Sequence, residues 1–384
     1  MHLRGIRASD KQTPTACADV LLLSAASALA DRCNMMLIRP VAAADLDALV
    51  ELAGLAGAGL TTLPKDRELL GKRITKSVES FSANAERPGG ESYLLVMEDR
   101  QSHRVVGACG ITSKVGGFQP FWSYKIESVR FESNVINVRK DVPVLTILEE
   151  HDGPCEIGSL FLHPDYRGGG NGRMLQLVRF LLIAEHRDRF ESTVVSEIRG
   201  VLDANGRSPF WNAIGQHFFG IDFAEADRLS VVNKKFIAEL MPRHPIYIPL
   251  LPLDAQAVIG KPHPDSARAA QNLETEGFRF SGMVDIFDAG PVLSCPRDEI
   301  RTVRESRRVR IAAIGTAAAG ATEHMIATTR DRLFLACKGP ISPHGSEGVG
   351  ITGECAEALG VDVGDVVRIA DLNPAPPLHM PKSV

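Results

Sequence analysis

Residues 156–189 decide the fold, and they read EIGSLFLHPDYRGGGNGRMLQLVRFLLIAEHRDR. Residues 157–162 form an apolar segment with the length of a strand. Residues 167–172 follow, and we call this segment the glycine loop. Beyond the loop, apolar residues recur at the spacing of an amphipathic helix, namely Met174, Leu177, Val178, Leu181 and Leu182. The stretch therefore predicts a strand, a glycine-rich turn and a helix in succession.

The glycine loop contains the pattern Arg-x-x-Gly-x-Gly at Arg167, Gly170 and Gly172. Glycine lacks a Cβ, so successive backbone N–H groups can converge on one anion, and the helix N-terminus adds about half a positive charge there. The loop matches neither a dinucleotide-binding fingerprint nor a P-loop. We expect a pyrophosphate site, with an ordinary strand-to-helix turn as the alternative.

In this context the glycine loop resembles the coenzyme A loop of the GNAT acyltransferases. The predicted elements also follow the GNAT order: strand, two helices, hairpin, strand, loop, helix, strand and helix. The resemblance implies an α+β, GNAT-like acyl-CoA N-acyltransferase fold with a central mixed sheet. The residues that it assigns to the diphosphate of an acyl-CoA are Arg167, Gly168, Gly169, Gly170, Asn171 and Gly172.

Composition narrows the functional classes. The chain has 384 residues, 44% hydrophobic and 23% charged, which is typical of a globular protein. A net charge of −4 without a local cluster of Lys and Arg argues against nucleic acid, and no apolar run is long enough for a membrane span. Seven cysteines without a Cys-x-x-Cys pattern indicate reduced thiols in a cytoplasmic protein and no metal site.

The chain divides into four expected regions. They are a disordered N-terminal extension at 1–35, a GNAT-like acyl-CoA-binding domain at 36–225, an appended lobe or partial GNAT repeat at 226–300 that completes the active site, and a small β-rich, barrel-like domain with a mobile tail at 301–384. The arginine-rich run at 301–310 is expected to be a solvated linker, with contact to an anion as the alternative.

Longer strings resemble one GNAT-related family, the arginine N-succinyltransferases. They lie at 36–41, 59–64, 160–164, 197–203, 206–211, 236–247, 258–264 and 285–288. The resemblance implies transfer of succinyl from succinyl-CoA to the α-amino group of L-arginine, the first step of succinyl-dependent arginine catabolism. It implies succinyl-CoA as a co-substrate, no tightly bound cofactor, and an oligomer, with a paralogous subunit as one option.

The same resemblance assigns two site residues. His263 matches the family's catalytic histidine, and Leu160 matches a contact to the donor. Histidine suits proton transfer because its ordinary pKa, about 6.5, is close to working pH. His244 and His163 also precede proline and remain alternatives, although each fits a structural corner better. Cys155 is expected to be a core thiol rather than a nucleophile.

Arginine recognition requires a carboxylate facing the guanidinium and a cation facing the α-carboxylate. The candidate acceptor contacts are Glu197, Arg199, Asp203, Thr61 and Thr62. The two acidic residues flank Arg199, and a structural ion pair is the equal alternative for them. Arg199 and Arg207 are also candidates for the free carboxylate of the succinyl group.

Two other functions fit the same sequence. One keeps the fold and changes the substrates, for example to another acyl-CoA or to ornithine as acceptor. The other is a non-catalytic partner subunit. Retention of His263 together with an intact glycine loop argues against the second.

Overall fold

The structure is a computed structural model that describes residues 35–56, 62–83, 85–232, 234–316, 321–330, 333–345 and 348–373. Apart from Met35, the extension predicted at 1–35 lies outside these residues, as does the chain after 373. In the part of the chain that is described, no helix has both the length and the hydropathy of a membrane span.

The elements are as follows. The strands are β1 (Met36–Pro40), β2 (Ser92–Asp99), β3 (Arg104–Thr112), β4 (Gly116–Ser133), β5 (Val138–Asp152), β6 (Cys155–Leu162), β7 (Thr193–Glu197), β8 (Ile246–Tyr247), β9 (Arg279–Val284), β10 (Pro291–Pro296), β11 (Arg307–Gly315), β12 (Thr322–Thr328), β13 (Ala336–His344), β14 (Gly348–Thr352) and β15 (Val366–Asp371). The α-helices are α1 (Leu46–Leu55), α2 (Arg67–Ser82), α3 (Asn171–Glu185), α4 (Pro209–Ala213), α5 (Gly215–Phe219), α6 (Phe223–Val232), α7 (Lys235–Leu240), α8 (Leu253–Val258), α9 (Ala267–Thr275), α10 (Arg301–Glu305) and α11 (Gly353–Leu359).

Among the described residues, fifteen strands form one sheet in the order β12-β15-β11-β14-β13-β1-β2-β3-β6-β7-β10-β9-β4-β5-β8. Two neighbouring pairs are parallel, β6 with β7 and β11 with β14. The other pairs are antiparallel. The central sheet is therefore mixed, and the predicted α+β class is confirmed.

Helices cover both faces of the central strands. Helix α3 lies on one face, with all of residues 174–184 buried, and packs in the same core as Leu95 of β2. The next side chain towards the N-terminus, Leu94, points to the opposite face and packs with Leu49 of α1 and Leu70 of α2. Each buried leucine stabilises the fold by roughly 1.5–3 kcal/mol, so these layers hold the strands around the site.

Strands β6 and β7 diverge in the middle of the sheet. They are paired at only two positions, Cys155 with Val194 and Glu156 with Val195. Beyond these positions β6 continues along β3, and β7 continues along β10. Because each strand follows a different neighbour, a gap opens towards their carboxyl ends.

The edge of β6 beside this gap bends at Ser159, a non-glycine residue with φ of 55°. The pairing of β3 with β6 shifts here by one extra residue, which is a β-bulge. The Ser159 N–H donates to Oγ1 of Thr62 over 3.0 Å, and its hydroxyl donates to the Thr62 carbonyl oxygen over 2.9 Å. Nη2 of Arg73 donates to Oγ of Ser159 over 2.6 Å. These bonds hold a backbone conformation that is unfavourable for a residue with a Cβ.

The C-terminal strands β11–β15 form a closed barrel, because β12 pairs with both β15 and β13. The barrel joins the main sheet where β13 pairs with β1. It also contacts α3 through Glu185, whose side chain is 2% exposed and pairs with Arg368 at 2.8 Å and with Arg308. The predicted small β-barrel is confirmed.

The prediction of a solvated linker at 301–310 is wrong. Arg301 is buried, and its Nη2 donates to Oε1 of Glu276 over 2.6 Å. Oε2 of Glu276 also accepts the N–H of Thr302 over 2.8 Å. The rest of the run enters β11, where Arg308 pairs with Glu185. The sequence of the run alone does not show which carboxylates from distant parts of the chain will pair with its arginines.

The helical segment after Ser208 is divided at Ile214 into α4 and α5. Ser208 caps α4 by accepting the N–H of Trp211 over 3.0 Å. A Cβ at Gly215 would overlap the ring of Trp211, so the second helix begins in close contact with that ring. The division depends on tertiary packing, which the helical pattern alone does not contain.

Candidate active site

A cavity of about 1170 Å³ lies at the gap between β6 and β7, and we call it the interstrand cavity. One side of its wall contains Gly168, Gly170 and Arg173, from the glycine loop and the first turn of α3. The other side contains Glu197 and Arg199, at and just beyond the end of β7. Residues predicted to bind a diphosphate and residues predicted to contact the acceptor thus line one space.

The glycine loop has an unusual backbone conformation. Gly168, Gly169 and Gly170 have φ values of 122°, 51° and 79°, a region in which a side chain is strained. Gly170 is also the N-cap of α3, and no side chain of the described residues caps this end of the helix. The first N–H groups of α3 and the positive end of its dipole therefore lie beside the loop. This geometry fits the predicted anion site.

Two loop residues support the backbone. Nε of Arg167 donates to the carbonyl oxygen of Leu162 over 3.3 Å, and its guanidinium lies over the ring of Phe161 at 5.9 Å. Nδ2 of Asn171 donates to the carbonyl oxygen of Tyr166 over 3.1 Å. These contacts join the end of β6 to the start of α3.

The barrel also contacts the glycine loop. Nζ of Lys338, on β13, donates to the carbonyl oxygen of Gly169. A Cβ placed on Gly170 would lie 3.4 Å from Cδ2 of Leu372 and 3.8 Å from Nζ of Lys338. A Cβ at Gly170 would therefore be in ordinary contact with the barrel, and the cost of a side chain there comes from the backbone conformation.

Leu160 follows the bulge at Ser159, lines the interstrand cavity and packs against the main core. Thr62 lines the same cavity and holds Ser159 in place. Thr61 lies outside the described residues. The positions of Leu160 and Thr62 agree with the expected contacts to donor and acceptor, which remain predictions.

His263 precedes the short 3-10 helix Pro264–Ser266, and its Nδ1 accepts the N–H of Asp265 over 3.1 Å. Nε2 is therefore the ring nitrogen left for a substrate, and in the neutral ring it carries the proton. Burial lowers the pKa of His263, and the positive charge of Arg199 lowers it further, against the opposing effect of Asp265. Arg199 and Asp265 line the interstrand cavity, whereas His263 itself is not part of its wall and lies beside these two residues.

The alternative residues have structural positions. His163 occupies the same His-Pro-Asp motif as His263, and its Nδ1 accepts the N–H of Asp165 over 3.3 Å. His244 is exposed and is not part of the cavity wall. Burial raises the pKa of the Cys155 thiol, which disfavours the nucleophilic thiolate.

The predicted acceptor contacts separate into two places. Glu197 and Arg199 line the interstrand cavity. Asp203 instead accepts the N–H groups of Asn205 and Arg207 in a surface turn, and Nε of Arg207 donates to its carboxylate over 3.0 Å. Neither Asp203 nor Arg207 belongs to the cavity wall, so the described acceptor candidates placed to meet a ligand there are Thr62, Glu197 and Arg199.

Several polar residues of the cavity wall were not predicted from the sequence. They are Arg73, Trp122, Glu156, Lys234 and Asp285. Glu156 carried a detectable signal, because it is a charged residue inside an otherwise apolar strand. Arg73 and Trp122 carried none, since each fits the ordinary pattern of its helix or strand.

Two family models match the chain. The family described as "Arginine N-succinyltransferase beta subunit" matches residues 36–302, which is more than half of the chain. The family that describes the C-terminal domain of the same beta subunit matches residues 307–371. The chain belongs to the arginine N-succinyltransferase family. Its members are acyltransferases, and the predicted enzyme class is confirmed.

Individual relatives agree with this arginine N-succinyltransferase assignment. A protein named arginine N-succinyltransferase from Yersinia enterocolitica is 43% identical over 342 residues, covering 88% of this chain and 98% of the relative. One of the same name from Enterobacter sp. is 40% identical, with the same coverage. The solved structure of arginine/ornithine succinyltransferase subunit AI from Pseudomonas aeruginosa has a TM-score of 0.82 and 32% identity, covering 89% of this chain and 100% of that one.

Proposed function

We propose that the chain is an arginine N-succinyltransferase that transfers succinyl from succinyl-CoA to the α-amino group of L-arginine, the first step of succinyl-dependent arginine catabolism. The observation that carries the proposal is the interstrand cavity, where the glycine loop, Leu160 and the neighbours of His263 meet. Succinyl-CoA is a co-substrate rather than a tightly bound cofactor. The reaction then takes place in the cytoplasm, where CoA thioesters are available.

In this proposal the donor lies between the glycine loop and the bulge of β6. Its diphosphate lies against the backbone of residues 167–172, where the three glycines leave room for it. Its pantetheine arm follows the gap between β6 and β7 and brings the thioester to Leu160. The free carboxylate of the succinyl group needs a cation, and Arg199 is suited because its buried Nε has no hydrogen-bond partner among the described residues.

The reaction forms a C–N bond and breaks a C–S bond. The attacking nitrogen gives up one proton and the leaving sulfur gains one, so a single group that contacts both can carry it. His263 is suited to this role, because Nδ1 is occupied by Asp265 and the proton of the neutral ring is on Nε2. The Nε2–H group stabilises the departing thiolate by a hydrogen bond as the C–S bond breaks, and the proton that the nitrogen releases ends on the sulfur.

A thiol-release assay with the purified chain tests the proposal. Succinyl-CoA and acetyl-CoA are each offered with L-arginine, with ornithine or with no amine. Thiol release with succinyl-CoA that depends on arginine is expected. Release with acetyl-CoA alone, or release without an amine, would contradict the substrates. No release under any condition would favour a non-catalytic subunit.

Ornithine is the second candidate acceptor, because the similar Pseudomonas aeruginosa protein is described as an arginine/ornithine succinyltransferase. That protein is also described as a subunit, which supports the proposal of an oligomer, with a paralogous chain as one option. Light scattering on the purified chain tests whether it forms an oligomer, and a monomeric mass would contradict that expectation.

A further inference from the structure

Two glutamates line the interstrand cavity close to the point where β6 and β7 are last paired. Glu156 pairs with Val195 at the last contact between β6 and β7. Glu197 lies two residues beyond Val195, so its side chain is on the same face of the sheet as that of Glu156. Both glutamates line the cavity.

Neither glutamate has a hydrogen bond or an ion pair within the described chain. Burial raises the pKa of Glu197 well above its usual value, and the negative charges of Asp285 and Glu156 raise it further. Burial also raises the pKa of Glu156, against the opposing charges of Lys234 and Arg73. Both residues are half-buried, so an ionised carboxylate at either position is only partly hydrated and is costly to the fold without a partner. A cationic ligand would offset that cost.

The carboxylates of the neighbouring aspartates, Asp285 and Asp288, are hydrogen-bonded to backbone N–H groups. Oδ1 of Asp285 accepts the N–H groups of Phe287 and Asp288 over 2.7 and 2.9 Å. The two carboxylate oxygens of Asp288 accept the N–H groups of Gly200 and Gly290 over 2.7 and 2.8 Å. These aspartates add negative potential, whereas the two glutamates remain available to a ligand.

A second observation points to a ligand in the same cavity. Trp122 lines it and is only 4% exposed, yet its Nε1 has no hydrogen-bond partner in the described structure. Nε of Arg73, also in the wall, is equally without one. Buried polar atoms are almost always paired in folded proteins. The two unpaired donors need an acceptor atom, which the α-carboxylate of an amino-acid ligand has, whereas the two glutamates need a donor or a cation.

The arrangement fits an extended cation rather than a metal ion. In the residues that the structure covers, no three His, Cys, Asp or Glu side chains are placed to hold a metal. Two carboxylates on opposite edges of a gap instead suit a planar guanidinium, which presents five N–H donors in a fixed fork.

The proposed reaction centre, at Leu160 and beside His263, lies further along the chain than the glutamate on each strand. Glu197 is two residues before Arg199, whose carbonyl oxygen accepts the N–H of His263. Glu156 is four residues before Leu160. At about 3.3 Å per residue these offsets correspond to roughly 7 and 13 Å along the strands. An acceptor whose α-amino group lies at this reaction centre would therefore extend its side chain towards the two glutamates.

We propose that Glu156 and Glu197 form the subsite that binds the guanidinium of the acceptor, and so select a cationic amino acid. This inference rests on the proposed function, because it takes the α-amino group as the point of attack. It makes acceptor selection electrostatic: arginine is preferred to citrulline, which has nearly the same shape but no charge on its side chain.

The test compares Glu156→Gln and Glu197→Gln with Glu132→Gln. The control makes the same chemical change at an exposed residue of β4 that pairs with Arg139 at 2.8 Å. The Michaelis constants for L-arginine, L-citrulline and succinyl-CoA are measured together with kcat. Calorimetric binding of succinyl-CoA to each variant shows whether it is folded.

Each cavity variant should raise KM for arginine about tenfold or more, the usual effect of losing a hydrogen bond to a charged group. The preference for arginine over citrulline should fall by a similar factor. KM for succinyl-CoA and kcat should stay within about twofold, and Glu132→Gln should match the wild type.

An unchanged preference for arginine over citrulline would overturn the inference. A loss of kcat with KM unchanged would also overturn it, because that result assigns the glutamate to proton transfer. The wild type separates the two proposals. If the wild type transfers succinyl to arginine and the glutamate variants behave like the wild type, only the subsite proposal is contradicted. If the wild type shows no arginine-dependent thiol release, both the proposed function and the subsite proposal are contradicted.

Discussion

The backbone N–H of His263 donates to the carbonyl oxygen of Arg199 over 2.8 Å. The next residue after Arg199, Gly200, also forms a β-bridge with Pro262. The segment that carries the proposed catalytic histidine is thus attached directly to the chain that leaves β7. Arg199 and His263 are therefore held in position by the same backbone contacts, so a substitution at either residue should alter the environment of the other.

Substitution of His263 by Ala should lower kcat by about 100-fold or more, the usual scale for the loss of a general acid/base. The affinity for succinyl-CoA should change little, because the glycine loop is untouched. Steady-state kinetics and calorimetry measure the two quantities. His263→Asn is the matched control, since Asn can also accept the N–H of Asp265 at this N-cap position. If His263→Asn restores turnover, His263 acts only as a cap.

The pH profile should depend on Arg199. Burial and the positive charge of Arg199 lower the pKa of His263 below its usual 6.5, so the ring is neutral at pH 7. If the neutral ring is the active form, kcat/KM is constant above this pKa and falls as pH drops through it. Arg199→Gln removes a positive charge, which raises the pKa of His263 and should move the acid limb to higher pH.

Profiles normalised to their plateau measure that shift independently of any loss in rate. Arg207→Gln makes the same change at the surface turn, outside the cavity wall, and should leave the limb in place. A limb that stays fixed in Arg199→Gln, or moves to lower pH, would remove His263 as the titrating group.

Gly170→Val should weaken succinyl-CoA binding, because it adds a side chain at φ of 79° beside the proposed diphosphate site. Gly206→Val imposes nearly the same backbone strain, at φ of 74°, in open space away from the cavity wall. Both variants should unfold more easily, and only the first should lose donor affinity by calorimetry. Equal donor affinity in the two would contradict the placement of the diphosphate.

The buried ion pair between Arg301 and Glu276 should matter for stability. Glu276 is completely buried, so Glu276→Gln leaves a buried guanidinium without its counter-charge and should lower the free energy of unfolding by about 3–5 kcal/mol. Glu305 contacts the same arginine at 3.6 Å but its side chain is 50% exposed, so Glu305→Gln should cost less than about 1 kcal/mol. Urea unfolding measures both, and similar losses would mean that Arg301 does not depend on the buried partner.

Local features of this chain were predictable because local chemistry determines them. The glycine loop and α3 need only the missing Cβ atoms of residues 168–170 and a regular apolar spacing. The capping role of Ser208 is likewise local, whereas the break at Ile214 depends on the ring of Trp211. The barrel was recognisable as a β-rich end, but its closure through β12 and β13 was not.

The acidic end of the cavity was only partly predictable, because Glu197 was a candidate but its neighbours in the cavity were not. Glu156, Glu197 and Asp285 come from three separate segments, and they meet only because β7 pairs with β10 and β10 pairs with β9. Asp203 lies near Glu197 in sequence and was predicted with it, yet the turn that it holds with Arg207 carries it to the surface. Proximity in sequence to Glu197 was misleading for Asp203. For Glu156 and Asp285, which are distant from Glu197 in sequence, it gave no indication that the three residues would meet.

Strand β1 lies between β2 and β13, with Leu37 opposite Cys337. During translation one edge of β1 therefore waits for a partner that is made some 300 residues later. At about 5–20 residues per second the delay is roughly 15–60 s. Throughout that interval the nascent chain exposes an unpaired strand edge to neighbouring chains on the polysome. This edge can pair with a wrong strand until β13 has been synthesised.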